Sequence, residues 1–252
     1  MNISGCACVV TGAASGLGEA AARRLAAAGG KVALFDLEPA RGRRVAEEIG
    51  GVFAEVDVTD AESVGRGLDI AEQAHGTARV LVNCAGVIIA QKTTSRGVPH
   101  VLEDFRRVVD INLTGTFNCI RLVVTRMVAD EAVDGKERGV VINTASVSAF
   151  DGQTGQAAYA ASKAGVAGMT LPLSRDLSRH GIRVVTVAPG IFQTPLLTGL
   201  PQAVQESLAA TVPFPPRPGE PDEFASLVQH ICENGYLNGT TIRLDGAIRM
   251  TP

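Results

Sequence analysis

The segment Thr11-Gly12-Ala13-Ala14-Ser15-Gly16-Leu17-Gly18 constrains this chain more than any other. An apolar β-type run at 6–11 leads into it, and a helical pattern at 16–28 leads out. The glycines at this junction have separate uses. Gly12 can turn the chain with positive φ, Gly16 lets a ligand approach the backbone, and Gly18 lets the helix pack closely on the strand. Ser15, Gly16 and Leu17 stand at the helix start, whose free N–H groups and partial positive charge suit a diphosphate. Three glycines alone are weak evidence, and a tight turn without a ligand is the other reading. Their position after the first strand and at a helix start favours a nucleotide site.

The rest of the chain repeats this unit. Apolar strand-like runs at 31–36, 52–56, 79–83, 140–144, 182–188 and 241–245 alternate with helical patterns. The helices fall at 39–49, 60–75, 102–130 (two helices or one bent one), 157–179 and 222–233. Pro39 suits a first helical turn, and Thr59 or Asp60 caps the next helix. The strands read as continuous apolar runs, as expected where both sheet faces are covered. Alternating βα units predict an α/β fold: a doubly wound parallel sheet with helices on both faces and right-handed crossovers. A chain of 252 residues, 46% hydrophobic, is consistent with one domain over 1–252 and a sizeable core. Pro172 lies inside a predicted helix and should kink it.

Three stretches break the rhythm: 91–101, 130–139 and 189–218. Long loops in a compact domain are often functional. The first two read equally as plain surface connections. The third carries Pro189, Pro195, Pro201, Pro213, Pro215, Pro216 and Pro218, and is the expected substrate loop.

Charge and composition exclude several classes. A net charge of −3 gives no basic field for a nucleic acid backbone, and the Arg41, Arg43, Arg44 cluster reads as a solvated helix face. No apolar run approaches the roughly 18–20 residues of a membrane span. The first strand begins within a few residues of Met1, leaving no room for a leader in this sequence. The five cysteines form no metal-binding spacing; Cys6 and Cys8 share a strand face and read as small core residues. A reducing, cytoplasmic compartment and no metal are expected.

Asp36 ends the second strand, eighteen residues beyond Gly18, where a carboxylate meets the adenosine ribose hydroxyls. It would repel a 2′-phosphate, and Leu37 rather than Arg follows, so NAD is expected over NADP. Arg41 is the residue that weighs against this. Asp57 and Val58 end the third strand, where Asp57 can reach an adenine amino group. Asn83-Cys84-Ala85-Gly86 ends the fourth: Ala85 and Gly86 leave room for a ribose, and Asn83 can tie neighbouring strands. Past the sixth strand, Pro189-Gly190 precedes Ile191 and Phe192 as an apolar wall, and Thr194 is placed to reach a nicotinamide carboxamide.

Tyr159 and Lys163 are four apart and share a helix face. Ser146 lies thirteen residues before Tyr159, and Asn112 in the preceding helical region. An alcohol oxidised by hydride transfer must lose its hydroxyl proton, and a tyrosine phenolate can take it. The free phenol titrates near 10, so lowering it by about three units requires roughly 4 kcal/mol. A partly desolvated ammonium at about 5 Å can supply much of that, together with the positive nicotinamide. Ser146 can polarise the substrate oxygen.

These motifs together resemble the short-chain dehydrogenase/reductase family: TGAASGLG, Asp36, NCAG, Asn112, Ser146, Tyr159-Ala-Ala-Ser-Lys163 and Pro189-Gly190. The resemblance spans nearly the whole chain. It implies a single-domain Rossmann fold with a seven-stranded sheet, a Ser–Tyr–Lys–Asn site and a homotetramer, with the Asn112 equivalent holding a water that relays protons from Lys163. Cys84 stands where Asn is common in the family. The stretches NTASVSAFDGQTGQAAYAASKAG, APGIFQTPLLTGLP and LNGTTIRLDGAIRMTP, with Cys84 and the insertion before Val140, resemble the 3-hydroxyacyl-CoA dehydrogenase branch. That branch implies oxidation of 3-hydroxyacyl-CoA to 3-ketoacyl-CoA, with some steroid alcohols accepted. The 91–101 stretch would be the acyl-CoA wall, with Arg96 or Arg217 as the cation at its mouth. The alternatives are a hydroxysteroid dehydrogenase and, from another class, a nucleotide-binding scaffold without turnover. The scaffold reading sits badly with a chain that keeps all four site groups.

Overall fold

Seven parallel strands form the sheet of this computed structural model, which describes residues 1–130 and 137–251. They are β1 (Ala7–Thr11), β2 (Lys31–Asp36), β3 (Val52–Glu55), β4 (Val80–Asn83), β7 (Gly139–Thr144), β8 (Ile182–Pro189) and β9 (Thr241–Leu244). Their order is β3-β2-β1-β4-β7-β8-β9, the doubly wound arrangement the alternating pattern predicts. Connecting helices are α1 (Gly16–Ala27), α2 (Pro39–Ile49), α3 (Ala61–His75), α4 (Leu102–Val109), α5 (Thr116–Ala129), α6 (Ala157–Ser178) and α9 (Pro221–Glu233). The chain reverses its winding between β1 and β4, where ligands of such sheets bind at the carboxyl ends.

Alternation along the strands builds two apolar layers. Val10, Val32 and Leu34 pack with Leu25, Phe224 and Ile231 on one face. Val9, Ala33 and Phe35 pack with Leu68, Ile120 and Met127 on the other. Each such large side chain, fully buried, contributes about 1.5–3 kcal/mol.

Several local expectations need correction. The strand begins at Ala7, so Cys6 precedes it, half-buried, while Cys8 is buried. The 91–101 stretch contains a small hairpin, β5 (Thr94–Ser95) and β6 (Val98–Pro99), turned by Arg96 and Gly97 at φ +51° and +78°. The 189–218 segment is not an irregular loop, since α7 (Pro195–Thr198) and α8 (Gln202–Ala209) lie within it. Between α4 and α5 a π-helical turn, Asp110–Gly115, makes the region one widened helical run. Pro172 does lie inside helix α6, as expected, and the helix continues past it. In the insertion before Val140, residues 131–136 lie outside the described residues. No helix among the described residues is long and apolar enough to cross a membrane.

Candidate active site

The glycine turn joins β1 to α1. Gly12 and Gly16 have φ of +64° and +57°, which a side chain would strain. A Cβ on Gly12 would lie 2.8 Å from Ala85 N, and one on Gly18 only 2.2 Å from Gly12 O. Thr11 Oγ1 accepts from Cys84 N at 3.2 Å and Ala85 N at 3.1 Å, so the turns after β1 and β4 are fastened together. Ser15 is the N-cap of α1 and offers no side-chain cap bond, which leaves the helix's first N–H groups available to a ligand. Leu17 packs against the core. Thr194, the N-cap of α7, brings its methyl against Gly16, where a Cβ would meet it at 3.4 Å.

Asp36 Oδ2 accepts from Ala14 N at 2.9 Å and Oδ1 from Glu38 N at 3.0 Å. Each carboxylate oxygen keeps further acceptor capacity. Leu37 beside it is exposed. Asp57 Oδ1 accepts from Thr59 N and Oγ1 at 2.9 and 2.7 Å. Val58 is buried, and its carbonyl accepts from Asn118 Nδ2 at 2.8 Å. Asn83 does tie strands: its Nδ2 donates to Asn143 Oδ1 at 2.9 Å across the β4–β7 register. Asn83 Oδ1 and Asn143 Nδ2 are buried without partners among the described residues. Pro189 is buried at the end of β8. Phe192 turns into the core beside Phe224, and Gly219 is free of a Cβ where its ring passes.

The carboxyl ends of β4 and β7 and the start of α6 bring Ser146, Tyr159, Lys163 and Asn112 together. Ser146 caps a short 3₁₀ turn, Val147–Ala149, accepting from Ser148 N at 3.1 Å. Its hydroxyl is close enough to the Tyr159 phenol to lower that group's pKa. Lys163 Nζ donates to Thr144 O at 2.7 Å and lies 5.8 Å from the Tyr159 ring centroid. A Cβ on Gly86 would sit 3.2 Å from Asn112 Oδ1 and 3.5 Å from Lys163 Nζ, so those two groups face each other across a glycine.

The electrostatics correct one expectation. Burial raises the Tyr159 phenol, and the Ser146 hydroxyl lowers it only in part. Burial also brings the Lys163 ammonium down to about 8. The protein's own groups therefore hold the phenol neutral, because desolvation penalises both charged forms and the ammonium is turned to the Thr144 carbonyl. Nearby Cys84, 3.4 Å from Thr144 Oγ1, is pushed up to about 11 by burial. Asn112 is held by its side chain. Its Oδ1 accepts from Val87 N at 2.8 Å, and its Nδ2 donates to Val87 O at 2.9 Å and Ser162 Oγ at 3.1 Å. Its carboxamide is thus spent on the turn after β4 and on α6 rather than on Lys163.

A cleft of about 440 Å³ flanks the start of α6, the helix that carries Tyr159 and Lys163. Lys92, Thr93 and Thr94 form one wall, and Gln153, Gln156 and Ala160 belong to the other. Gln91 N closes the rim, donating to Gly155 O at 2.8 Å. The expected cations are elsewhere. Arg217 is held by both oxygens of Glu223 at 2.8 Å, and Arg96 sits exposed in the hairpin turn. Sequence reasoning passed over Thr11, Thr144, Ser162 and Lys92. A hydroxyl closing an apolar strand just before Gly12 was the available signal for Thr11. The others are placed by tertiary packing alone.

Fold and site together are those of a nicotinamide-dependent oxidoreductase, and the profile of the short chain dehydrogenase family matches residues 7–205. The chain belongs to that family. Among its relatives, the human protein named 3-hydroxyacyl-CoA dehydrogenase type-2 is 54% identical over 255 residues, covering 100% of this chain and 98% of that protein. The Drosophila melanogaster protein of the same name is 54% identical and covers 97% of each. A crystal structure titled 3-hydroxyacyl-CoA dehydrogenase type-2 from Mycobacterium avium superposes with a TM-score of 0.94 at 42% identity, covering 98% of this chain and 97% of that one.

Proposed function

We propose that this chain is an NAD-dependent dehydrogenase that interconverts 3-hydroxyacyl-CoA and 3-ketoacyl-CoA, with Tyr159, Lys163, Ser146 and Asn112 as its working groups. Lys163, whose Nζ lies 5.8 Å from the Tyr159 ring and donates to Thr144 O beside Ser146 at the sheet's switch point, carries the reading. When bound, the nicotinamide would accept the substrate's hydride and add positive charge near Tyr159. Tyr159 takes the hydroxyl proton of the alcohol as phenolate. Ser146 donates to the substrate oxygen and holds the carbonyl in place. Lys163, near neutrality because it is buried, passes protons on and favours the phenolate while charged. Asn112 positions, fixing the turn after β4 against α6.

The bed fits the cofactor. The glycine turn leaves space and free N–H groups for a diphosphate, and Asp36, with no cation beside it at Leu37, suits the unphosphorylated ribose of NAD. Ser15, Gly16, Leu17, Asp57, Cys84, Ala85, Gly86, Pro189 and Thr194 would line this bed, and Phe192 through its backbone. Lys92 in the cleft wall would supply a cation for the charged arm of a CoA thioester, which a steroid lacks. The 189–218 segment serves as substrate loop of a single domain. A homotetramer is supported by the family resemblance, and a reducing, cytoplasmic compartment by the five free cysteines.

Tyr159→Phe tests the mechanism. NADH oxidation with acetoacetyl-CoA should fall by at least about 10³-fold while NADH binding, read by fluorescence, changes little. Turnover within tenfold of wild type would refute Tyr159 as the base.

A further inference from the structure

Behind the Ser146 turn, three segments meet that the chemistry does not itself use: residues 147–153, 212–214 and 245–251. Val147, Val212 and Ile248 form one buried apolar cluster, with Ile191 and Met250 packed against it. Arg243, on β9, fastens the group. Its Nε donates to Asp245 Oδ2 at 2.7 Å, and its Nη2 to Asp151 Oδ2 at 2.7 Å and Ile248 O at 3.0 Å. The guanidinium also lies 5.5 Å from the ring centroid of Phe150, which is itself half exposed. Beyond it, Gln153 Nε2 donates to Thr251 O at 3.1 Å. On the opposite side, Phe214 N donates to Gly246 O at 3.3 Å, and a Cβ on Gly246 would lie 2.6 Å from Val212 Cγ1. The 245–251 segment is therefore tied on one side to the cleft wall and on the other to the 189–218 segment.

We infer that Arg243 is a positioning residue for the substrate: through Asp151 it holds the 150–156 wall of the cleft at a fixed spacing from the 189–218 segment, and so governs capture of the CoA thioester rather than the rate at the reacting carbon. The identity of the substrate rests on the function proposed above. The guanidinium is needed because its Nε and Nη2 together reach two carboxylates and a carbonyl, which a single ammonium does not. None of these hydrogen bonds involves Tyr159. A substrate too small to lean on the wall is therefore indifferent to it.

The test uses the full chain as wild type, Arg243→Gln and Arg243→Lys. In Arg243→Gln, hydrogen exchange of amides in 150–156 and 246–250 rises by about tenfold or more, while α6 amides stay within about twofold. The KM for acetoacetyl-CoA rises by about 5–20-fold with kcat within about twofold, and Arg243→Lys recovers only part of this. Ethyl acetoacetate, which carries the same reacting group without CoA, keeps its kcat/KM within about twofold. Unchanged exchange at 150–156, or equal losses on both substrates, overturns the inference. If Arg243→Gln does not fold, Asp151→Asn removes the negative charge that Arg243 holds without altering a residue of the cleft lining. It must then show the same KM split, about 2–4-fold, and its absence is equally fatal. A wild-type enzyme that reduces ethyl acetoacetate but not acetoacetyl-CoA refutes the substrate reading instead, and the exchange result still decides the role of Arg243.

Discussion

Replacing Lys163 by Met should change how stability depends on pH, by an amount that follows from burial. Lys163 is 5% exposed, and its ammonium titrates at about 8 against an ordinary 10.5. Below about 8 the folded chain carries a buried ammonium at full cost. Between the two values the unfolded chain holds a proton that the folded chain lacks, so stability rises with pH across that window. The whole gap corresponds to about 3 kcal/mol. Met removes the charge but leaves Thr144 O without its donor, which costs about 1–3 kcal/mol, so the two proteins should be similarly stable at pH 7. The slope is free of that offset. From pH 7 to 9 the wild type should gain about 1 kcal/mol relative to Lys163→Met, or roughly 2–4 °C in Tm for a chain of this size. Tyr159 and Cys84, both raised by burial, stay neutral through most of this range in both proteins and cancel. Thermal unfolding followed by circular dichroism at pH 7, 8 and 9 reads the difference. Parallel Tm curves would refute the claim that the ammonium is held near neutrality.

Other perturbations test the frame around the site. Asn112→Ala strips partners from Val87 N, Val87 O and Ser162 Oγ, and should lower Tm by about 5–15 °C; a shift under 2 °C would mean these bonds stabilise little. Gly18→Ala puts a Cβ 2.2 Å from Gly12 O, so both folding yield and NADH affinity by fluorescence titration should fall, whereas wild-type affinity would show that the turn yields freely. Asp36→Ala removes the acceptor for Ala14 N and Glu38 N, and should weaken NAD binding by about tenfold or more while narrowing the preference over NADP; an unchanged ratio in calorimetry would remove Asp36 from the ribose site.

Much of this was legible in sequence where the signal is local. The βα rhythm, the glycine turn and the i, i+4 placement of Tyr159 and Lys163 each depend on a few neighbouring residues. Prolines misled in the 189–218 segment. Pro195 and Pro201 look like breakers, yet they open helices, because a missing N–H costs nothing at a helix start. The β5–β6 hairpin has two residues per strand, too few to show alternation. The titration of Tyr159 depends on how deeply the whole fold buries it. The partners of Asn112 come from segments 25 and 50 residues away. Arg243 likewise meets Asp151 across 92 residues, and no spacing rule announces such a pair.

The clasp between the turns after β1 and β4 has a thermodynamic consequence. With Thr11 Oγ1 receiving both Cys84 N and Ala85 N, and no room for a side chain between Gly12 and Ala85, the two turns move together or not at all. A dinucleotide laid across them would meet two turns already fixed relative to one another. Its association then shows a single concentration-dependent phase, without a slow isomerisation. The heat-capacity change on binding reflects only the surface covered, with no contribution from chain ordering.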